Sequence, residues 1–423
     1  MRLGTFLIFV TIVVTAAALS VIPPRKDKAD TDTLELVQIM WRHGDRTPIV
    51  QYPNDPLQNE TLWFPYATGF EAITKKGKQM HYDFGQYLRK RYEGFLSPVY
   101  SQKEIYVQSS DADRAIMSAM SNMAGMWPPT PEDPRSEWNP QLQWQPIPIH
   151  TIPKKLDNFI NFGAPCPRFK ELKKEYTNDS PFAKSINEAP ENSKLCQYII
   201  KHAGVKECDF EVISDIWDTL RIQKAYNMTL PPWVASVYDQ MESLSAIFFD
   251  SRVLVPTEEA KRVKAGPLLS FLVKNMELRQ NETKGVAKMY ALSGHDTTSS
   301  IALGALGVFD TQFPSYASAA IFEMHKIQNE HVVKVFFRND TSVPPFEFEI
   351  PNCGYPCHLN KFKEILAHIL VDGEKWNEVC KSGGSSPSAS KSSASGAIST
   401  TVLPHFTSHF IMLITNLLLI SKW

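Results

Sequence analysis

A surplus of charge is missing from this chain of 423 residues: 44 Lys and Arg stand against 45 Asp and Glu, a formal net charge of −1. That excludes a general nucleic-acid footprint, so any positive field must be local. Internal repeats are missing too. Metal-site spacing is lacking: the six cysteines, Cys166, Cys196, Cys208, Cys353, Cys357 and Cys380, have no clustered histidine beyond His358. Cys353 and Cys357 are separated by three residues rather than two, which argues against a redox pair. No metal or cofactor is expected. An apolar run of about 20 residues, the length that spans a bilayer comfortably, is also wanting. The run at 410–420 is broken by Thr415 and Asn416, and extending it back to Val402 brings in His405 and His409, both costly in lipid.

What is present suits a globular protein with a large core: 43% of residues are hydrophobic and 21% charged. Residues 1–20 read as a secretory signal peptide, with Arg2 as basic head, an apolar stretch at 3–14 and small residues at Ala16–Ala18 and Ser20. Export implies an oxidising compartment, so the cysteines read as structural bridges with fifteen pairings open and Cys353–Cys357 as a short local one. Sequons at Asn59, Asn178, Asn227, Asn281 and Asn339 predict a glycosylated surface, Asn178 being the weakest because Pro181 follows it. Residues 381–400 are nearly all Ser, Gly, Ala and Lys and read as a linker without a core. Ser395-Gly396-Ala397, a spacer and the apolar tail within 401–423 match a signal for a GPI anchor, with a transmembrane helix or an unprocessed tail as alternatives. The expected destination is the secretory pathway, then the extracellular space or cell surface, with an acidic organelle such as the lysosome as the alternative.

Three strands each deliver ionisable side chains. Residues 34–41 read as a strand buried on both faces, with Leu34, Leu36 and Gln38 on one side and Glu35, Val37 and Ile39 on the other. It ends in Arg42-His43-Gly44-Asp45-Arg46-Thr47-Pro48, where glycine frees the turn and proline closes it. Arginine supplies a fixed charge and a planar fork suited to phosphate. A strand at 104–108 leads to Arg114 in the first turn of a helix. A strand at 288–293 delivers Gly294-His295-Asp296-Thr297-Thr298 at the start of another. Thr74 is an N-cap for a helix reaching residue 92, whose terminal Arg89, Lys90 and Arg91 read as surface groups suited to the dipole. The loop at 49–71 is placed to wall a cleft. Strands at 317–324 and 332–337 read as antiparallel, with a fragment at 346–350. This order predicts a layered α/β sheet with helices on both faces, built from 31–126 and 286–380, with a mainly helical insert or cap at 127–285. Asp45 is left outside the core site set, and His81, His150, His202 and His325 default to structural or surface roles.

Ligands of open α/β sheets bind beyond the C-terminal strand edges. If the three strands are parallel neighbours, their loops converge on a pocket of three Arg, two His and one Asp. Guanidiniums there neutralise a transferring phosphoryl group, an imidazole attacks phosphorus, and a neighbouring acid protonates the leaving alcohol. Any dianion would suit the arginines alone.

The two-part pattern, residues 42–48 with His295-Asp296 far downstream, resembles the signature of the histidine acid phosphatases, over about 33–380 and most nearly their animal prostatic and lysosomal branch. That resemblance implies a phosphoglycerate-mutase-like layered sheet with an inserted helical subdomain. It implies His43 as nucleophile, Asp296 as proton donor, and Arg42, Arg46, Arg114 and His295 as phosphate ligands. The implied reaction is metal-independent hydrolysis of phosphate monoesters through a phosphohistidine, by an enzyme that forms homodimers. Bridges Cys353–Cys357 and Cys166–Cys380 are implied as well, which leaves Cys196 with Cys208. Gly294 stands where Ala is common in relatives and is expected to loosen its loop. Thr298 stands where phytases commonly have Asn. Acidic pH is expected to favour protonated Asp296 and His295. The alternatives are a phytase or inositol-polyphosphate phosphatase, and a non-catalytic secreted binding protein with a vestigial site.

Overall fold

The computed structural model describes residues 27–383, except 180–183, 185–186, 254, 256 and 310–312. The expected signal peptide, the linker beyond residue 383 and the C-terminal tail lie outside the described residues.

Among the described residues eight strands make one sheet: β1 (Leu34–Arg42), β2 (Ile105–Ser110), β3 (His150–Ile152), β4 (Met289–Gly294), β5 (Ala319–Ile327), β6 (Glu330–Arg338), β7 (Phe346–Phe348) and β8 (Cys357–His358). Their order is β3-β2-β4-β1-β5-β6-β7, with β8 paired to β6. The half from β3 to β1 is parallel, and β5, β6 and β7 continue antiparallel. Because β4 lies between β2 and β1, the three motif-bearing strands are parallel neighbours and their C-terminal ends share one edge.

β1 is buried on both faces. Leu36 and Met40 enter one core, Val37, Ile39 and Trp41 the other. Leu34 departs from the expected alternation and packs with the second group. The register against β5 slips between Leu34 and Leu36, and such an irregularity turns every earlier side chain to the opposite face.

The helices that frame the site are α1 (Lys75–Arg91), α2 (Asp113–Met126), α3 (Pro167–Asp179), α4 (Phe210–Ala225), α5 (Glu258–Gln280) and α6 (Asp296–Ala305). The Thr74 side chain caps α1, accepting from the Gly77 amide at 3.0 Å. At the other end Arg91 is not a surface group: it is buried and donates at 2.9 Å to Glu323 of β5, on the sheet face that α1 covers.

The stretch expected as one insert divides. The helix Pro190–Ala203, α4 and their neighbours build a separate core around Ile199, Ile216, Leu220 and Met241. By contrast Leu268, Leu269, Leu272 and Met276 of α5 pack against Leu36 and Met40, so α5 is a layer of the sheet domain. β3, within the same 127–285 stretch, pairs with β2. Two apolar stripes look alike in sequence whichever core receives them, and a three-residue strand has no readable period.

Disulfides join Cys166 to Cys380, Cys196 to Cys208 and Cys353 to Cys357. The first closes a loop of 214 residues and ties the start of α3 to the end of the folded body. Asn59, Asn227 and Asn281 are exposed, whereas Asn339 is half-buried and accepts from the Ser315 amide at 2.7 Å.

Gly44 and Gly77 let the turn after β1 press against α1. A Cβ on Gly77 would lie 2.2 Å from the Asp45 carbonyl oxygen, and one on Gly44 would lie 2.3 Å from the Gly77 oxygen. Both obstacles are backbone, so a methyl group forces the two segments apart. Gly77→Ala should therefore lower stability by about 1–3 kcal/mol, as overpacking does. Thermal unfolding followed by circular dichroism checks this, and an unchanged midpoint would refute the close-approach argument.

Candidate active site

Each expected site residue sits at the end of a strand or the start of a helix on the shared edge. The β1–β4 pairing carries into the turn, with the His43 amide donating to the Gly294 carbonyl at 3.0 Å. The Gly44 amide donates to Ser118 Oγ at 3.0 Å, and that hydroxyl donates to the Arg114 carbonyl at 2.6 Å, which fixes the start of α2 beside the turn. Trp41 Nε1 donates to Ser293 Oγ at 2.9 Å, and Ser293 in turn donates to the Ala115 carbonyl, so all three strand ends are cross-linked.

The result is a cavity of about 480 Å³ lined by His43, Arg46, Arg114, His295 and Asp296, with Arg42 immediately behind. The rings of His43 and His295 stand edge to face with centroids 5.5 Å apart. His43 Nδ1 lies 2.9 Å from the Gly44 carbonyl oxygen. A carbonyl only accepts, so the neutral ring carries its proton on Nδ1 and leaves the Nε2 lone pair available. Arg42 pairs with Asp296 at 3.0 Å, donates to the Pro314 carbonyl, and rests 4.3 Å from the Tyr316 ring centroid. Nε of Arg42, Arg46 and Arg114 and the Tyr316 hydroxyl are buried without a hydrogen-bond partner among the described residues. Buried donors left in this way suit an anion.

Charge sets the protonation states. Burial first, then Arg42, His295, Arg114 and Arg46, hold the His43 pKa well below the ordinary imidazole value. His295 is pushed down to about 3, again by burial first and then by Arg114, with Asp296 opposing. Burial alone would raise the Asp296 carboxyl, but Arg42 and its neighbours outweigh it and keep the group below the usual carboxylate range. The expectation that mild acid protonates His295 and Asp296 therefore fails for the free site, because the arginines oppose one change and favour carboxylate in the other.

Gly294 is not a loosening residue. A Cβ there would lie 2.3 Å from Thr298 Oγ1, and that hydroxyl accepts from the His295 amide at 2.9 Å and donates to the Ile160 carbonyl at 2.8 Å. Asp45 is buried and accepts from Thr74 Oγ1 at 2.6 Å and from the Tyr226 hydroxyl, joining the turn to α1 and α4. His81 Nε2 donates to the Arg42 carbonyl at 3.0 Å and is structural.

Several site residues escaped sequence reasoning. Asp218 of α4 pairs with Arg46 at 3.0 Å and with Arg221 at 2.7 Å. Asn161 Nδ2 and Ser110 Oγ approach His295 Nε2 at 3.1 and 3.0 Å. Tyr316 and Phe313 lie over Arg42. The only trace of Asp218 in the sequence is its place with Asp215 and Arg221 on the polar side of the Ile213-Ile216-Leu220 stripe, a pattern any solvated helix face shares.

The fold and this constellation define a phosphate-handling class, and the sequence comparisons agree. The profile of the histidine phosphatase superfamily (branch 2) matches residues 33–338, and the chain belongs to that family. Among its relatives, the lysosomal acid phosphatase of Xenopus laevis is 35% identical over 84% of this chain and 80% of its own. The prostatic acid phosphatase of Rattus norvegicus is 35% identical over 84% of this chain and 91% of its own. Among solved structures, the phytase of Hafnia alvei in complex with tartrate superposes with a TM-score of 0.60 at 17% identity, covering 82% of this chain and 98% of its own. That likeness carries the fold alone.

Arg114 is the largest charge acting against His295 and also acts on His43. Arg114→Gln should raise both imidazole midpoints, His295 the more. Histidine titration by NMR reads this directly, and unmoved midpoints would mean that burial alone depresses them.

Proposed function

We propose that this protein is an acid phosphatase that hydrolyses phosphate monoesters in two steps. His43 Nε2 attacks phosphorus while Asp296 gives a proton to the ester oxygen, so the P–O bond breaks as the P–N bond forms and an alcohol leaves. Water then attacks the phosphohistidine, Asp296 takes its proton, and phosphate departs. Arg42, Arg46, Arg114 and His295 hold the phosphoryl oxygens throughout, and their positive charge makes a metal unnecessary. The observation that carries this reading is the His43 ring, tethered at Nδ1 to the Gly44 carbonyl and facing a cavity lined by arginines with Nε2 available.

The same charges account for work in acid. A depressed His43 pKa keeps the nucleophile neutral at low pH. Bound phosphate brings negative charge beside Asp296, offsets Arg42, and raises the pKa of that carboxyl so that it can carry the proton. Turnover should fall as pH rises through the Asp296 value in the complex, and fall again in stronger acid as His43 protonates. The acid phosphatase relatives at 33–35% identity favour this reading over a phytase, for which the likeness is one of fold.

His43→Ala should lower hydrolysis of p-nitrophenyl phosphate at mildly acidic pH by roughly a thousandfold or more while vanadate binding persists in part. The unchanged protein should be inhibited by tartrate and indifferent to EDTA. A His43→Ala protein that still turns over would remove the covalent mechanism, and an inactive unchanged protein would leave the vestigial-site reading.

The homologues and the disulfides support passage through the secretory pathway. We further propose N-glycans on the exposed sequons, a GPI anchor that holds the enzyme at the cell surface, and a homodimer. Phosphatidylinositol-specific phospholipase C should release the activity from intact cells; retention after treatment would favour a transmembrane tail.

A further inference from the structure

We infer that Asn161 is a further positioning residue of this site, gripping the His295 ring at Nε2 and through that ring setting how tightly a phosphoryl group is held; this rests on the phosphatase reading above, in which His295 is a phosphate ligand. Nε2 of His295 has two neighbours from separate segments: Ser110 Oγ at the end of β2, 3.0 Å away, and Asn161 Nδ2, 3.1 Å away. An amide nitrogen only donates, so Asn161 favours a ring with its lone pair at Nε2, which is a neutral imidazole. Asn161 and His295 both line the cavity, and the His295 ring centroid stands 5.5 Å from that of His43. A change in the tilt of this ring is therefore felt where the phosphoryl group binds and beside the nucleophile.

The turn that carries Asn161 is held without the use of its side chain. Asp157 is fully buried, and its carboxylate accepts from the amides of Phe159, Ile160 and Asn161 at 3.1, 2.8 and 2.9 Å. The Ala164 amide closes the turn by donating to the Asp157 carbonyl at 3.0 Å. Ile160 anchors it in the core that also holds Leu268 and Leu292. Phe162, next in the chain, is kept at φ +57°, a conformation that a bulky side chain retains only where its surroundings over-determine it. Asn161 thus leaves from a rigid base, and its amide is spent on His295.

Gly294 lets this turn approach. A Cβ there would lie 3.0 Å from Ile160 Cγ2, besides meeting Thr298 Oγ1. Thr298 Oγ1 donates to the Ile160 carbonyl at 2.8 Å and accepts from the His295 amide at 2.9 Å. One hydroxyl therefore ties the backbone of the turn to the backbone of His295, and the Asn161 amide adds a tie to the ring. With backbone and ring both fixed from the same turn, the direction of the imidazole is set rather than left to its own torsions. A hydrocarbon side chain at 161 would fill similar space but offer Nε2 no donor.

The test uses two variants of nearly the same size. In Asn161→Leu, the KM for p-nitrophenyl phosphate and the dissociation constant of inorganic phosphate, read by isothermal titration calorimetry, should both rise roughly fivefold, the scale of one net hydrogen bond. The fall in kcat should be smaller than the rise in KM, because His295 holds the phosphoryl group in ground state and transition state alike. In Asn161→Asp a carboxylate replaces the amide opposite Nε2, so the His295 midpoint in the free protein should rise, as read by NMR histidine titration. That shift needs contact between the two side chains, and a role confined to shaping the turn would not produce it. Unchanged phosphate affinity in Asn161→Leu, or an unmoved His295 midpoint in Asn161→Asp, overturns the assignment of Asn161. An unchanged protein that binds inorganic phosphate but hydrolyses no ester overturns the phosphatase reading instead, and the calorimetry and NMR, which need no turnover, still decide on Asn161.

Discussion

Burying several guanidiniums around one imidazole is the constraint on which the rest of this structure depends. The side chains of Arg42 and Arg46 are only 1% and 6% exposed. Desolvating such groups is expensive, and like charges in one cleft repel. Two carboxylates offset the cost, Asp296 on Arg42 and Asp218 on Arg46, and the Tyr316 and Phe313 rings cover the Arg42 face. The balance leaves a net positive pocket in which a neutral imidazole is the stable form. The neutral His43 ring and the lowered Asp296 pKa therefore follow from one arrangement of charge.

That arrangement binds the helical cap to the sheet. Asp218 lies on α4, whose other contacts reach the same region: Tyr226 donates to Asp45, Gln223 to Asp55 at 2.9 Å, and Thr219 to the Val50 carbonyl. The loop after the first motif is thus clamped between sheet and cap, with Ile49 and Val50 forming part of the cavity wall. In the proposed reaction the sheet domain supplies the groups that act on phosphorus. The cap supplies counter-charge through Asp218.

Much of this was legible because certain residue types have few other uses at those places. An apolar strand ending in Arg42-His43-Gly44-x-Arg46, and another ending in His295-Asp296, concentrate buried charge where a sheet opens to ligand. The N-cap at Thr74 and the antiparallel pair β5 and β6 followed from local chemistry and period. Other features left no trace. Leu34 changed face through a register slip, Arg91 found a buried Glu323 two hundred residues away, and α5 joined the sheet core rather than the cap. Each depends on a partner remote in sequence, and periodicity carries no information about partners.

By itself the sequence determined the layered α/β class, the strands that carry the motifs, the chemical identity of the groups and an oxidising destination, because these depend on composition, local spacing and intrinsic side-chain chemistry. Only the tertiary structure decided that β4 separates β1 from β2, that Asp218 and Asn161 join the site, and that burial and the arginines lower the His295 and Asp296 pKa values in the free site. The physical reason is that desolvation and Coulomb energies depend on distances through space, and those exist only once separate segments have packed together.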